Sequence, residues 1–191
     1  MFYKKRFLDL VHNFVIFDKG IKKVCRYNQY YAIKRAQHRL VDKHRGGIVW
    51  HTQGSGKSYS MLFLAQKIRR KFEGSPTFVV LTDRDELNKQ ISDTFENCGL
   101  LGGVKASKYI AQSGDDLIGK LKSNPSFIFT LIQKFNDENA TPITPDHDII
   151  ILSDEAHRSQ NGIFADNMCR VLPTASRIGF TGTPLFKYDN I

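Results

Sequence analysis

One segment constrains this chain more than any other. His51 to Ser58 reads HTQGSGKS and directly follows the apolar run Gly47 to Trp50. From Lys57 onward, Met61, Leu64, Ala65, Ile68 and Phe72 recur at three- and four-residue spacing, the stripe of an amphipathic helix. A strand that passes through a Gly-rich turn into a helix is the context a phosphate-binding loop requires. Gly54 and Gly56 permit backbone conformations closed to other residues, so amides along Thr52, Gln53, Gly54, Ser55 and Gly56 can turn toward phosphate oxygens. The helix N-terminus adds partial positive charge. Lys57 is then placed to reach the β- and γ-phosphates of a bound nucleotide, and the Ser58 hydroxyl to ligate Mg²⁺. The strict pattern opens with Gly; His51 stands there instead, making the loop a variant. A Gly/Ser-rich connector ending in Lys-Ser by chance is the bland alternative, and the strand before and helix after disfavour it.

Further apolar runs, Thr77 to Leu81, Phe127 to Leu131, Asp148 to Leu152 and Arg177 to Phe180, read as buried strands. Between them a second helix is expected from Asp83, with Glu86 closing a capping box and Leu87, Ile91 and Phe95 facing inward. Leu117, Ile118 and Leu121 predict a short helix, a short strand is expected near Val104, and Thr141 to Pro145 reads as a surface turn. Strands alternating with helices imply an α/β fold, a parallel sheet with helices on both faces.

The basic charge is local. Residues 1–45 hold twelve Lys or Arg against three Asp, which is the entire net +9; the other 146 residues carry sixteen of each sign. Such a segment suits a polyanion or an acidic neighbouring domain, although a solvated basic arm has the same composition. The longest aliphatic run, Ile149 to Leu152, is far short of the roughly 20 apolar residues that a membrane span needs. Asp9, His12 and Asn13 interrupt the first apolar stretch, which argues against a signal peptide. Cys25, Cys98 and Cys169 are odd in number and widely spaced, which argues for a reducing compartment without disulfides or a zinc site.

The strand Asp148 to Leu152 runs into Asp154 and Glu155. An acidic pair at the carboxyl end of a buried parallel strand lies where open α/β sheets bind ligands. Asp154 can hold Mg²⁺ through its hydration shell, and Glu155 can orient or deprotonate an attacking water. An exposed turn would carry two adjacent carboxylates equally well; it is the phosphate loop upstream that favours a shared site.

Five segments occur in order: RYNQ (Arg26 to Gln29), WHTQGSGKS (Trp50 to Ser58), LTDRDELNKQ (Leu81 to Gln90), DEAHRSQ (Asp154 to Gln160) and GFTGTP (Gly179 to Pro184). Together they resemble superfamily 2 helicases. HTQGSGKS with DEAHRSQNG resembles, more narrowly, the motor (restriction, R) subunit of type I restriction-modification enzymes. The resemblance implies a RecA-like P-loop NTPase domain over residues 26–191, preceded at residues 1–25 by a basic connector that would follow a nuclease domain. It implies ATP and Mg²⁺ as cofactors, double-stranded DNA as the track, methylation and specificity subunits as partners, and a cytoplasmic setting without a membrane. Gln29 matches the residue that reads adenine, with Arg26 near it. Thr82, Arg84 and Gln90, then Thr130, Gln133 and Lys134, match segments that contact the nucleic-acid backbone. His157, Thr181 and Thr183 match residues that couple the nucleotide state to the track. The resemblance also places a second RecA-like domain with an arginine finger beyond Ile191, so slow hydrolysis is expected without it. Another superfamily 2 helicase or repair translocase, and a nucleotide-binding module without turnover, stay open as alternatives.

Overall fold

The computed structural model describes residues 3–42, 46–52, 54–71, 74–137, 139–144, 147–154 and 162–182. Gln53, Phe72, Pro145, Glu155, His157 and Thr183, named above, lie outside the described residues.

Five parallel strands form the main sheet: β3 (Gly47–Trp50), β4 (Thr77–Thr82), β5 (Phe127–Leu131), β6 (Ile149–Asp154) and β7 (Ser176–Thr181). Their spatial order is β3-β7-β6-β4-β5. The central strands β4 and β6 are buried at every position, as a parallel sheet covered on both faces demands. Side chains alternate across it. Phe78, Val80, Phe127, Phe129, Ile150 and Leu152 enter one cluster, which α3 (Lys57–Lys71) and α4 (Asp85–Asn97) cover with Met61, Ile68, Ile91 and Phe95. Val79, Leu81, Ile128 and Ile151 enter the other, beneath α5 (Gly114–Lys122) and α6 (Ile163–Val171), which supply Leu117, Leu121 and Met168. Helices thus lie on both faces of the sheet.

Three local expectations change. The second helix starts at Asp85 with Arg84 as its N-cap and no side-chain capping bond, because the strand before it extends to Thr82. Near Val104 there is a 3-10 turn, Ala106–Lys108, and a lone parallel bridge between Ile110 and Phe129 rather than a strand. Within the turn at 141–144, Ile143 is buried and its N–H donates to the Val171 carbonyl at 2.8 Å.

The first residues are built onto the sheet domain. α1 (Lys4–Asn13) leads into a hairpin of β1 (Val15–Asp18) and β2 (Ile21–Val24), then α2 (Tyr27–Gln37). Phe14 and Ile16 are buried in the same cluster as Tyr30 and Phe63. α1 docks through its polar side: the Lys67 amine donates to the Asp9 carboxylate, Arg70 donates to the His12 carbonyl and to Asn13, and the Arg6 guanidinium sits 5.7 Å from the Tyr31 ring centroid. Of its apolar residues, Leu10 packs against the core, while Phe7, Leu8 and Val11 are more than half exposed. Among the described residues, no helix is long and apolar enough to cross a membrane.

Candidate functional site

All five strands of the main sheet point the same way, so their carboxyl ends, and the loops that follow them, gather at one edge of the sheet. Register sharpens this. Trp50 pairs with Thr181 and Asp154 with Phe180, so the start of the phosphate loop, the β7 end and the acidic residue form one row. With β7 alone between β3 and β6, the two outer strands are about 10 Å apart. Lys57 opens α3, which packs against both β6 and β7. The loop and Asp154 therefore share one end of the molecule, within the span of a nucleoside triphosphate.

The loop's backbone is set by its glycines. Gly54 and Gly56 adopt φ of 75° and 83°, a region L side chains rarely enter. The Ser55 N–H donates to the Thr52 carbonyl at 3.2 Å, closing the turn, and the Gly56 carbonyl accepts the Ser60 N–H at 3.0 Å to begin α3. The first amides of a helix have no intrahelical acceptor, so they are available to an anion. Ser55 is buried, Thr52 and Gly54 are exposed, and Lys57 and Ser58 are half-buried at the helix start. This donor set fits a magnesium-bound polyphosphate: backbone amides and an ammonium for the phosphates, a hydroxyl and a carboxylate for the metal. Asp154 is 5% exposed.

Gln29 is the main addition that tertiary structure makes to the loop. It is 3% exposed, and its amide locks α2 to the loop. Its Nε2 donates to the Gly56 carbonyl at 3.0 Å, to Ser60 Oγ at 3.1 Å and, at a longer 3.4 Å, to the Ser55 carbonyl. Its Oε1 accepts the Arg26 N–H at 2.8 Å, closing the first turn of α2. A Cβ at Gly56 would meet that Nε2 at 3.0 Å, so both positive φ and close approach require glycine there. The Arg26 side chain itself is exposed.

Two further contacts were not foreseen from sequence. The His51 N–H donates to the Thr181 carbonyl at 3.0 Å, and the Trp50 indole Nε1 donates to the Gly182 carbonyl at 3.1 Å. The His51 ring is 7% exposed. Burial lowers its pKa, a hydrogen bond with the Asn28 backbone opposes this, and the Lys57 charge lowers it further; the net shift is downward. Only a pattern departure, His in place of Gly, signalled this position in the sequence.

The residues matched to nucleic-acid contact divide. Arg84 and Gln90 are exposed, with Arg84 3.7 Å from the Asp83 carboxylate. Gln133 is exposed and donates to the Asp83 carbonyl at 3.0 Å, joining the two segments, while the Lys134 amine donates to the Ala111 carbonyl. Thr82 and Thr130 are fully buried, with hydroxyls directed to the backbone carbonyls of Arg84 and Leu131. They shape the strand ends rather than present a surface. Thr181, of the coupling set, is 1% exposed at the end of β7.

Comparison with known proteins places this arrangement. A family model described as SWI2/SNF2 ATPase matches residues 28–191. The type I restriction enzyme HindI endonuclease subunit of Haemophilus influenzae is 39% identical over 95% of this chain and 20% of its own length. The UvsW helicase of bacteriophage T4 superposes with a TM-score of 0.66 at 16% identity, covering 95% of this chain and 60% of that one. The Sulfolobus solfataricus SWI2/SNF2 ATPase core, solved in complex with double-stranded DNA, gives 0.65 at 17% identity over 92% and 34%. At such identities the structural likeness bears on the RecA-like fold alone. The chain spans about one fifth of the length of the curated relatives it matches.

Proposed function

The chain belongs to the SWI2/SNF2 ATPase family, and from that premise we propose that it is the ATP-binding motor segment of a type I restriction endonuclease subunit. In this reading ATP hydrolysis drives translocation of double-stranded DNA before cleavage, with methylation and specificity subunits as partners in the cytoplasm. The observation that carries it is the meeting of a glycine-bent loop, the start of α3 and Asp154 at one edge of the sheet.

The roles follow from chemistry. Lys57 and the loop amides would hold the phosphates, and Ser58 and Asp154 would hold Mg²⁺, which would supply charge neutralisation in phosphoryl transfer. Glu155 is assigned to the attacking water by its place beside Asp154. Gln29, with Arg26, is assigned to the base edge: its carboxamide both donates and accepts, as adenine's edge does. Arg84, Gln90, Gln133 and Lys134 are assigned to the DNA backbone, where cations and amides position a strand without reading sequence. His157, Thr181 and Thr183 are assigned to coupling. Tested alone, the chain should bind nucleotide and turn it over slowly. An arginine finger, which the resembled enzymes carry on a second RecA-like domain, is worth roughly 10³ to 10⁵ in rate.

Two measurements test the proposal. Nucleotide with Mg²⁺ at 100 times its dissociation constant should stabilise the chain by ~2.7 kcal/mol in a thermal melt. The full-length subunit, assembled with its methylation and specificity partners, should show hydrolysis stimulated by duplex DNA more than by RNA. If Lys57→Ala leaves both the melt and the hydrolysis unchanged, the assignment is wrong.

A further inference from the structure

The two residues that precede the loop's glycines carry contacts that no role above uses. Trp50 closes β3 opposite Thr181, and the His51 N–H to Thr181 carbonyl bond carries that pairing one residue into the loop. Successive residues of an extended strand project to opposite faces, so these two side chains reach in opposite directions. Trp50 is 61% exposed on the edge strand, and its indole N–H reaches across to the Gly182 carbonyl just beyond β7. His51 is turned inward against the Asn28 backbone at the start of α2, and its Nδ1 is buried without a hydrogen-bond partner.

Asn28 adjoins Gln29, which grips the loop from the same helix. A single dipeptide thus touches the helix that bears the base-reading amide, the phosphate loop and Gly182 at the end of β7. We infer that Trp50 and His51 are positioning residues that join α2, the phosphate loop and the β7 end, so that nucleotide at the loop is felt at Gly182. His51 holds the loop's entry to α2, and Trp50 passes the loop's position to Gly182. This rests on the nucleotide reading above but assigns work to two residues that the reading leaves idle.

Trp50 is the sole tryptophan, so intrinsic emission reports one position. The full chain is titrated with ADP and with a non-hydrolysable ATP analogue, each with Mg²⁺, while calorimetry measures binding independently. The expected result is binding accompanied by a change in Trp50 emission that is larger for the triphosphate. His51→Gly, which restores glycine to the loop's first position, should weaken binding about tenfold, ~1.4 kcal/mol, and suppress the emission change. His51→Asn, a polar replacement that can still hydrogen bond, serves if the glycine variant does not fold; a partial loss of both responses is then expected. Trp50→Phe should leave the melting temperature in place yet abolish the nucleotide-dependent protection of the β7 end against hydrogen exchange. Calorimetry without heat in the unaltered chain would overturn the nucleotide reading and this inference together. Binding with silent Trp50 emission, or with unaltered affinity in the His51 variants, would overturn the inference alone.

Discussion

Replacing Gln29 probes the loop and the proposed base site at once, and the structure sets the size of the effect. Truncation to Ala removes the two short bonds from Nε2 to Gly56 and Ser60 and the bond from the Arg26 N–H to Oε1. At about 1 kcal/mol net for each intramolecular hydrogen bond, the loss is about 3 kcal/mol. For a domain of this size each kcal/mol moves the melting temperature by about 2–4 °C, so a fall of about 6–12 °C is expected. Gln29→Glu keeps the shape and the Arg26 contact but turns a carboxylate oxygen toward the Gly56 and Ser55 carbonyls. It should cost more than Ala at neutral pH. Burial raises such a carboxyl's folded pKa above its unfolded value, so the penalty is present above the unfolded pKa and is relieved as pH falls through the folded one. Thermal melts of the three proteins between neutral pH and pH 5 give the answer. An Ala variant that melts within about 2 °C of the parent, less than one such bond is worth, would refute the idea that this amide locks the loop; a Glu variant without pH dependence would refute its stated orientation.

Asp9→Asn and Lys67→Met should behave unequally. The Lys67 side chain is 8% exposed and that of Asp9 20%. Losing the carboxylate strands a buried ammonium and should cost about 3 kcal/mol in denaturant melts, whereas Met fills the stem's place under the Phe14 ring at a cost within about 1 kcal/mol. Equal losses would contradict this. Burial works against the Asp9 carboxylate, but hydrogen bonds from Lys67 and Asn13 and the Lys67 charge outweigh it and hold its pKa below 3.8. Its stabilising share is therefore complete above that value and is lost as pH falls through the folded pKa, an acid sensitivity that Asp9→Asn should lack. Burial pushes the thiols of Cys25 and Cys98 up to about 11, while Cys169 is exposed. A thiol reagent at pH 8 should titrate Cys169 first and the half-buried Cys25 and Cys98 much more slowly; three equal rates would count against these placements.

The elements of the sheet domain were legible because each is written in local periodicity. The stripe from Met61 to Ile68 and the short, mainly apolar runs of β4 and β5 mark a helix and two strands without reference to anything distant. Where the reading departed from the structure, a tertiary contact decided. Ile143 is buried in the cluster beneath α5 and α6, where its amide meets the Val171 carbonyl, and Val104 precedes a 3-10 turn, the bridge to β5 forming at Ile110 instead. Thr82 and Thr130 match strand-contacting positions in sequence but sit beneath the surface, since β4 and β5 carry them into the covered sheet.

Residue order alone determined that a glycine-bent turn would join a strand to a helix and that Asp154 would stand at the carboxyl end of a buried strand, since backbone stereochemistry and side-chain spacing act over a few residues. Tertiary structure decided which surfaces meet: that β7 lies between β3 and β6, that α1 docks by its polar side, and that Gln29, His51 and Trp50 fasten the loop to segments distant in sequence. Those choices depend on burial and hydrogen bonding between residues many positions apart, whose pairing no local pattern encodes.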